Sequence, residues 1–275
     1  MRLSGLALAA ALLLAAAATA QQPPPQLSGA PTPPPAVTPA APADPALDAH
    51  LRRWEQEAQK FQTLALGLEQ VHKDNAVGVV NQYTGMAYFM KTGTGANARN
   101  MVLLETYGKD ARGNKVLAEK FVCTGNFFYL FNSQAKEIQA HELPRSAPGA
   151  MPDDNFLGMF GLRAEEAKRR YNITFQNEDA TYIYIGIKPR FPRDKAEFVE
   201  ARVVLNKSTF LPVQLWYKQP NNSEVVWSIR SAFVNKPMKQ EWFDKPEPPP
   251  GWKFVKVAPE ADAVPTRTFR NSGTP

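Results

Sequence analysis

The chain has 275 residues, 44% of them hydrophobic and 21% charged, with 25 prolines, 16 glycines and one cysteine. Dense aromatic and β-branched runs in the middle exclude a collagen-like or wholly disordered chain, and a single cysteine excludes a disulfide framework or a cysteine-based zinc site. The formal charge of +6 is scattered rather than striped, which argues against a nucleic-acid partner.

In chain order, Met1 to Ala20 has the form of a secretory signal. Arg2 supplies the positive start, Leu6 to Ala18 the apolar stretch, and Ala18-Thr19-Ala20 a small-residue cleavage site. The run is short and alanine-heavy for a membrane span. Export to the periplasm or the medium is expected, with no stable membrane span after cleavage. No cysteine follows the apolar stretch, so a lipid-modified mature N-terminus is not expected. Residues 21–46 are rich in Pro, Ala, Thr and Gln with almost no charge. Such a segment buries too little apolar surface to offset its chain entropy and favours extended polyproline conformations. It is a spacer, or the ligand of a proline-recognising partner. A folded domain over 47–258 and a flexible tail over 259–275 complete the expected organisation.

Asp48 is placed to cap a helix whose apolar residues Leu51, Trp54, Ala58 and Phe61 recur at spacings of three and four. From Leu64 the period changes to that of strands. Strands are expected at Leu64–His72, Val77–Lys91, Met101–Tyr107, Glu119–Thr124, Phe127–Asn132 and Glu137–Leu143, then at Tyr171–Gln176, Thr181–Lys188, Phe198–Asn206, Pro212–Lys218 and Glu224–Val234. Turn-forming residues separate them, which implies an antiparallel meander. Trp252, Phe254, Val255 and Val257 suit one last edge segment. Pro152-Asp153-Asp154 ahead of Phe156-Leu157-Gly158-Met159-Phe160 has the form of a helix start. A second short helix is expected over Ala164 to Arg170, with its acids first and its bases last.

The strands are apolar on both faces. Phe127, Tyr129 and Phe131 point one way, Phe128 and Leu130 the other; Tyr182 and Tyr184 oppose Ile183, Ile185 and Ile187; Met86, Tyr88 and Met90 oppose Ala87 and Phe89. A sheet with one wet face alternates apolar with polar. Both faces are therefore covered, or one lines an apolar groove.

Catalytic patterns are lacking. His50, His72 and His141 have no partner at metal-ligand spacing, and no nucleophile elbow, P-loop or dinucleotide fingerprint occurs. Asp153 and Asp154 suit a helix cap better than acid–base work. Cys123, between Val122 and Thr124, suits a buried inert thiol. Lys168-Arg169-Arg170 with Lys188, Arg190, Arg193 and Lys195 forms a basic cluster that is either a solvated face or a meeting point for an anionic envelope component. Asn172, Asn206 and Asn221 begin glycosylation sequons, which matter only in a eukaryotic secretory pathway. No enzyme, cofactor or metal site is expected.

The order of pieces now carries a resemblance. A helix over Leu47–Phe61 leads to a strand ending Tyr83-Thr84-Gly85-Met86-Ala87-Tyr88-Phe89-Met90-Lys91. The aromatic hairpin Cys123-Thr124-Gly125-Asn126-Phe127-Phe128-Tyr129-Leu130-Phe131-Asn132 follows, then the Pro-flanked Phe156-Leu157-Gly158-Met159 and finally Leu211-Pro212-Val213. From about residue 47 to 243 this order resembles the secreted one-domain family of planctomycete bacteria, within the broader outer-membrane lipoprotein carrier (LolA-like) superfamily. The resemblance implies an α+β fold: an unclosed antiparallel half-barrel with an N-terminal helix and short lid helices on the concave face, over an apolar cavity for acyl chains. In such a cavity Met86, Tyr88, Met90, Met101, Leu103, Phe127, Tyr129, Tyr182 and Tyr184 would line the strands, and Phe156, Met159 and Phe160 the lid. Lys91 stands where a basic residue of the carrier helps to hold the lid shut, and Thr92 follows where the carrier has proline. The partner implied is a lipid or a lipoprotein acyl chain. The alternative is an envelope protein–protein interaction or sensor module with a dry core.

Overall fold

In the computed structural model the residues described are 44–93, 99–143 and 163–257. The first element, α1 (Pro45–Gln59), is capped by Asp44, whose carboxylate accepts from the amides of Ala46 at 3.0 Å and Leu47 at 3.3 Å. The cap is therefore Asp44 and not Asp48. Pro45, with φ already helical and no N–H to lose, favours a start one residue after Asp44, and α1 begins inside the segment read as spacer. Leu47, Leu51 and Trp54 fall on one helical face and are buried.

Twelve strands follow and form one sheet: β1 (Thr63–Asp74), β2 (Val79–Thr92), β3 (Arg99–Lys109), β4 (Lys115–Cys123), β5 (Phe127–Asn132), β6 (Glu137–Glu142), β7 (Tyr171–Glu178), β8 (Tyr182–Pro189), β9 (Glu200–Asn206), β10 (Pro212–Lys218), β11 (Glu224–Val234) and β12 (Lys253–Val257). The expected strands are present, with shifted ends. Residues 75–78 form a turn rather than the start of β2, because Asp74 accepts from the amides of Ala76 and Val77 and Gly78 takes φ +71°. The helix α2 (Ala164–Arg170) has the expected bounds. Two elements were not expected: α3 (Pro192–Glu197) and a 3-10 turn at Gln240–Phe243. Both are too short to leave a periodic pattern. The helix expected near 153–160 lies outside the described residues.

The order across the sheet is β12-β6-β5-β4-β3-β2-β1-β11-β10-β9-β8-β7. It is two antiparallel meanders, β1 to β6 and β7 to β11, joined through β1 and β11, whose pairing runs from Leu64↔Val234 to Lys73↔Glu224. The sheet is mostly antiparallel, curved and open, with β12 and β7 as its ends. Only β12 departs: it pairs with β6 in parallel, because the segment after β11 crosses the sheet before it turns alongside β6.

Strand alternation divides the apolar residues into two sets. One face carries Leu64, Leu66 and Leu68 of β1, Phe89 of β2, Val102 and Leu104 of β3, Phe121 of β4 and Phe128 of β5. It continues through Trp227 of β11, Leu215 of β10, Val203 and Leu205 of β9, and Ile183 and Ile185 of β8. These residues are buried together with Leu47, Leu51 and Trp54 of α1 and Ala164 of α2. The two helices are tied by polar contacts as well. Asp48 meets Lys168 at 2.9 Å, and Glu55 accepts from the amide of Ala164 at 3.2 Å, satisfying a free N–H at the start of α2.

Candidate functional site

The residues expected to line a cavity lie on the other face. Met86, Tyr88 and Met90 of β2, Met101 and Leu103 of β3, and Phe127 and Tyr129 of β5 alternate with the residues that meet α1. The sheet brings all of these seven except Met86 into two neighbouring clusters. Met90 and Met101 surround Phe243, with Tyr88, Leu103 and Met238 packed around them; Tyr129 packs with Val122, Ile138 and Ala140, and with Phe127, Phe131 and Trp252. Tyr182 and Tyr184 point to the same face from β8, far across the sheet from β2, and do not join the seven. Tyr184 donates instead to Asp179 at 2.9 Å. Phe156, Met159 and Phe160 lie outside the described residues.

What covers the two clusters is the C-terminal segment. Phe243 is wholly buried, and Trp242 packs edge-on against Tyr88 with ring centroids 5.1 Å apart. Trp252 meets Phe131 at 5.9 Å and Phe254 meets Tyr129 at 5.8 Å. Residues 238–254 thus cover this face, and the opposite face belongs to the buried set that also contains Leu47, Leu51 and Trp54 of α1. Beside the covered part, an open groove of about 270 Å³ is lined by Thr84, Gly85, Met86, Tyr88, Glu105, Tyr107 and Lys115. Gly85 is required there, since a Cβ would lie 2.0 Å from the Glu105 carbonyl oxygen. At this end of the groove Lys120 meets Glu105 at 2.6 Å, the Tyr107 hydroxyl donates to Glu105 at 3.1 Å, and the Lys115 ammonium sits 3.9 Å above the Tyr107 ring.

The residues missed are those beneath α1, among them Phe89, Leu104, Phe121, Phe128, Ile185 and Trp227. A signal for them exists in the strand parity. Glu105 follows Met101 and Leu103 on one face, Lys120 precedes Val122, and Lys188 follows Tyr182 and Tyr184. Charged residues on that parity mark the face with access to water, so the opposite parity is the deeper one.

Lys91 lies on the α1 side. Its ammonium donates to the carbonyls of Ala58 at 3.0 Å and Gln59 at 3.3 Å, and burial pushes its pKa down. The last turn of α1 contains no base of its own, so Lys91 supplies from β2 the positive charge that the carboxyl end of the helix favours. Replacing Lys91 by methionine keeps the apolar stem and removes both hydrogen bonds. A loss of about 1–2 kcal/mol is expected, read as a lower urea midpoint; an unchanged midpoint would show that α1 is held by its apolar face alone.

The titratable groups beneath the helices are quiet. The Cys123 thiol is buried, points toward the Asn100 carbonyl at 3.6 Å, and burial pushes its pKa up to about 11. A thiol so rarely ionised is a poor nucleophile. His72 and His141 each bury Nε2 without a hydrogen-bond partner among the described residues, and burial lowers the pKa of both. His50 stacks on Phe175 at 5.5 Å with Nε2 3.4 Å from Glu178. Among the described residues no three His, Cys, Asp or Glu side chains converge as metal ligands, and no helix is long and apolar enough to cross a membrane.

No family model and no curated protein matches the chain. Among solved structures, an uncharacterised conserved protein from Thermus thermophilus aligns at TM-score 0.44 and 7% identity, over 77% of this chain and 99% of that one. LprF from Mycobacterium bovis aligns at 0.39 and 12%, over 74% and 98%. A LolA superfamily protein from Nitrosomonas europaea aligns at 0.35 and 9%, over 72% and 97%. The chain is similar to these proteins in the arrangement of its sheet and helices.

Proposed function

We propose that the protein is an exported, non-enzymatic binding protein of the cell envelope that holds an acyl chain or another apolar ligand against its curved sheet. The observation that carries this reading is the apolar face beneath α1. Its buried apolar set runs from β5 to β8, nine strands in sheet order, or about 40 Å at the usual strand spacing. The 15-residue α1 is only about 22 Å long and 10 Å wide. In this reading an extended apolar ligand lies between that face and the helices, which are attached by polar ties. Tyr88, Met90, Met101, Leu103, Phe127 and Tyr129 would act in this reading from the other side of the sheet, as a second apolar surface beneath the C-terminal segment, with Met86 in the open groove beside it.

The packing favours a second reading, an interaction module with a dry core. Leu64, Val102, Phe121, Ile183, Ile185, Val203 and Leu205 are wholly buried, and β7 ends the sheet with a mostly exposed strand, a template for an added strand. Native mass spectrometry of the gently purified chain separates the two. The first reading expects a bound mass that organic solvent releases as lipid. A bare protein that also ignores an apolar fluorescent probe would sink it in favour of the second.

A further inference from the structure

Nine large hydrophobic residues stand exposed among the described residues, and six of them are at one end of the sheet: Val77, Val79, Val80, Val116, Phe191 and Val199. The strand pairings put them at the same end in two groups: the valines of β1–β2 and β4, and Phe191 with Val199 three to four strands from β1, or about 15–20 Å away. Asp74↔Val79 closes the β1–β2 hairpin, Lys109↔Lys115 closes β3–β4, and Lys218↔Glu200 and Tyr171↔Pro189 mark the same end on β10–β9 and β7–β8. Val77 is at the apex of its hairpin and 71% exposed. Its turn is rigid, held by the Asp74 carboxylate and by the Asn75 side chain, which donates to the Asn222 carbonyl at 2.8 Å. A fixed turn that presents valine to water keeps that side chain available to an apolar surface outside the chain.

Cations accompany the valines. Lys73, Lys109, Arg112, Lys115, Lys188 and Arg190 are exposed at the same end, and none is in an ion pair among the described residues. Lys109 and Lys115 are directly opposite across the β3–β4 pair, a like-charge arrangement in which the Lys115 ammonium turns onto the Tyr107 ring. The nearby acids include Glu200, opposite Lys218 across β9–β10, and others held by partners within the chain. Asp110 accepts from the amides of Arg112 and Asn114 and from the Asn114 side chain, and Glu224 accepts from Trp216 Nε1 at 3.2 Å. Asp74 is engaged within its turn, and Glu197 has a partner of its own.

We infer that this end of the sheet docks on an anionic lipid bilayer, with Val77, Val79, Val80 and Phe191 entering the headgroup boundary and the cations meeting lipid phosphates. Apolar tips of this size combined with several cations give reversible, salt-sensitive attachment. The inference does not rest on the acyl-chain reading, since the residues involved are outside both buried faces.

The test is co-sedimentation of the purified full chain with vesicles of equal parts phosphatidylglycerol and phosphatidylcholine, and with phosphatidylcholine alone. Binding to the anionic vesicles is expected, weakening as salt is raised. V77D/V80D is expected to lower the partition coefficient by about tenfold, and K109E/R112E to lower it on anionic vesicles only. Both pairs are on exposed turns or strand ends, and a native circular dichroism spectrum checks that each variant folds. Indifference of the wild-type chain to anionic vesicles, or equal binding by both variants, would overturn the inference. So would loss, in these variants, of a co-purifying envelope protein while vesicles are ignored, which would assign the surface to that protein.

Discussion

Replacing Phe243 by alanine is expected to lower the stability of the fold by about 3–5 kcal/mol. The ring is wholly buried among Met90, Met101, Met238, Tyr88 and Leu103, and truncation would leave a cavity that the backbone of a 3-10 turn cannot fill. Trp242, its neighbour, is 44% exposed and makes one edge-on contact with Tyr88, so its removal is expected to cost about 1 kcal/mol. The difference tests whether Phe243 is the anchor of the C-terminal segment. Urea unfolding followed by tryptophan fluorescence reads both, and the Phe243 variant is also expected to bind more of an apolar dye as the Met90–Met101 surface is uncovered. A midpoint as high as that of the Trp242 variant would mean that β12 alone holds the segment in place.

Asp194→Ala is the second large effect. Arg170, in the last turn of α2, donates Nε to both carboxylate oxygens at 3.1 Å and Nη2 to Oδ1 at 2.7 Å. The side chains are 20% and 6% exposed, so water replaces little of what the substitution removes. A loss of about 3 kcal/mol is expected, mostly from removing the buried carboxylate that accepts three hydrogen bonds from the half-buried guanidinium. The double variant with Arg170→Met and Asp194→Leu is expected to recover much of that loss, because two apolar groups of similar size remove both desolvation costs together. Equal midpoints for the single and the double variant would show that the pair acts through the ends of α2 and α3 rather than through its charges.

Most of the strands were legible because alternation and turn residues are local properties of the chain. The strand Phe127–Asn132 stands between Thr-Gly-Asn and a polar turn, and Pro212–Lys218 follows a Leu-Pro pair. The amphipathic α1 and the charge order of α2 were equally local. The short elements were not. Asp44 outcompetes Asp48 as a cap only because Pro45 follows it, and α3 spans six residues, too few for a helical period to show.

The sequence by itself determined that this chain builds a large, mostly antiparallel sheet, apolar on both faces, behind one amphipathic helix. It also determined the parity of every candidate residue on a strand, since a strand places alternate side chains on opposite faces whatever surrounds it. Only the tertiary structure decided which parity meets α1, that Lys91 reaches the carboxyl end of α1, and that residues 238–254 return to cover Met90, Met101 and Tyr129. Those are contacts between residues far apart in the chain. Their free energy depends on which surfaces are brought together, and strand periodicity is the same for either face.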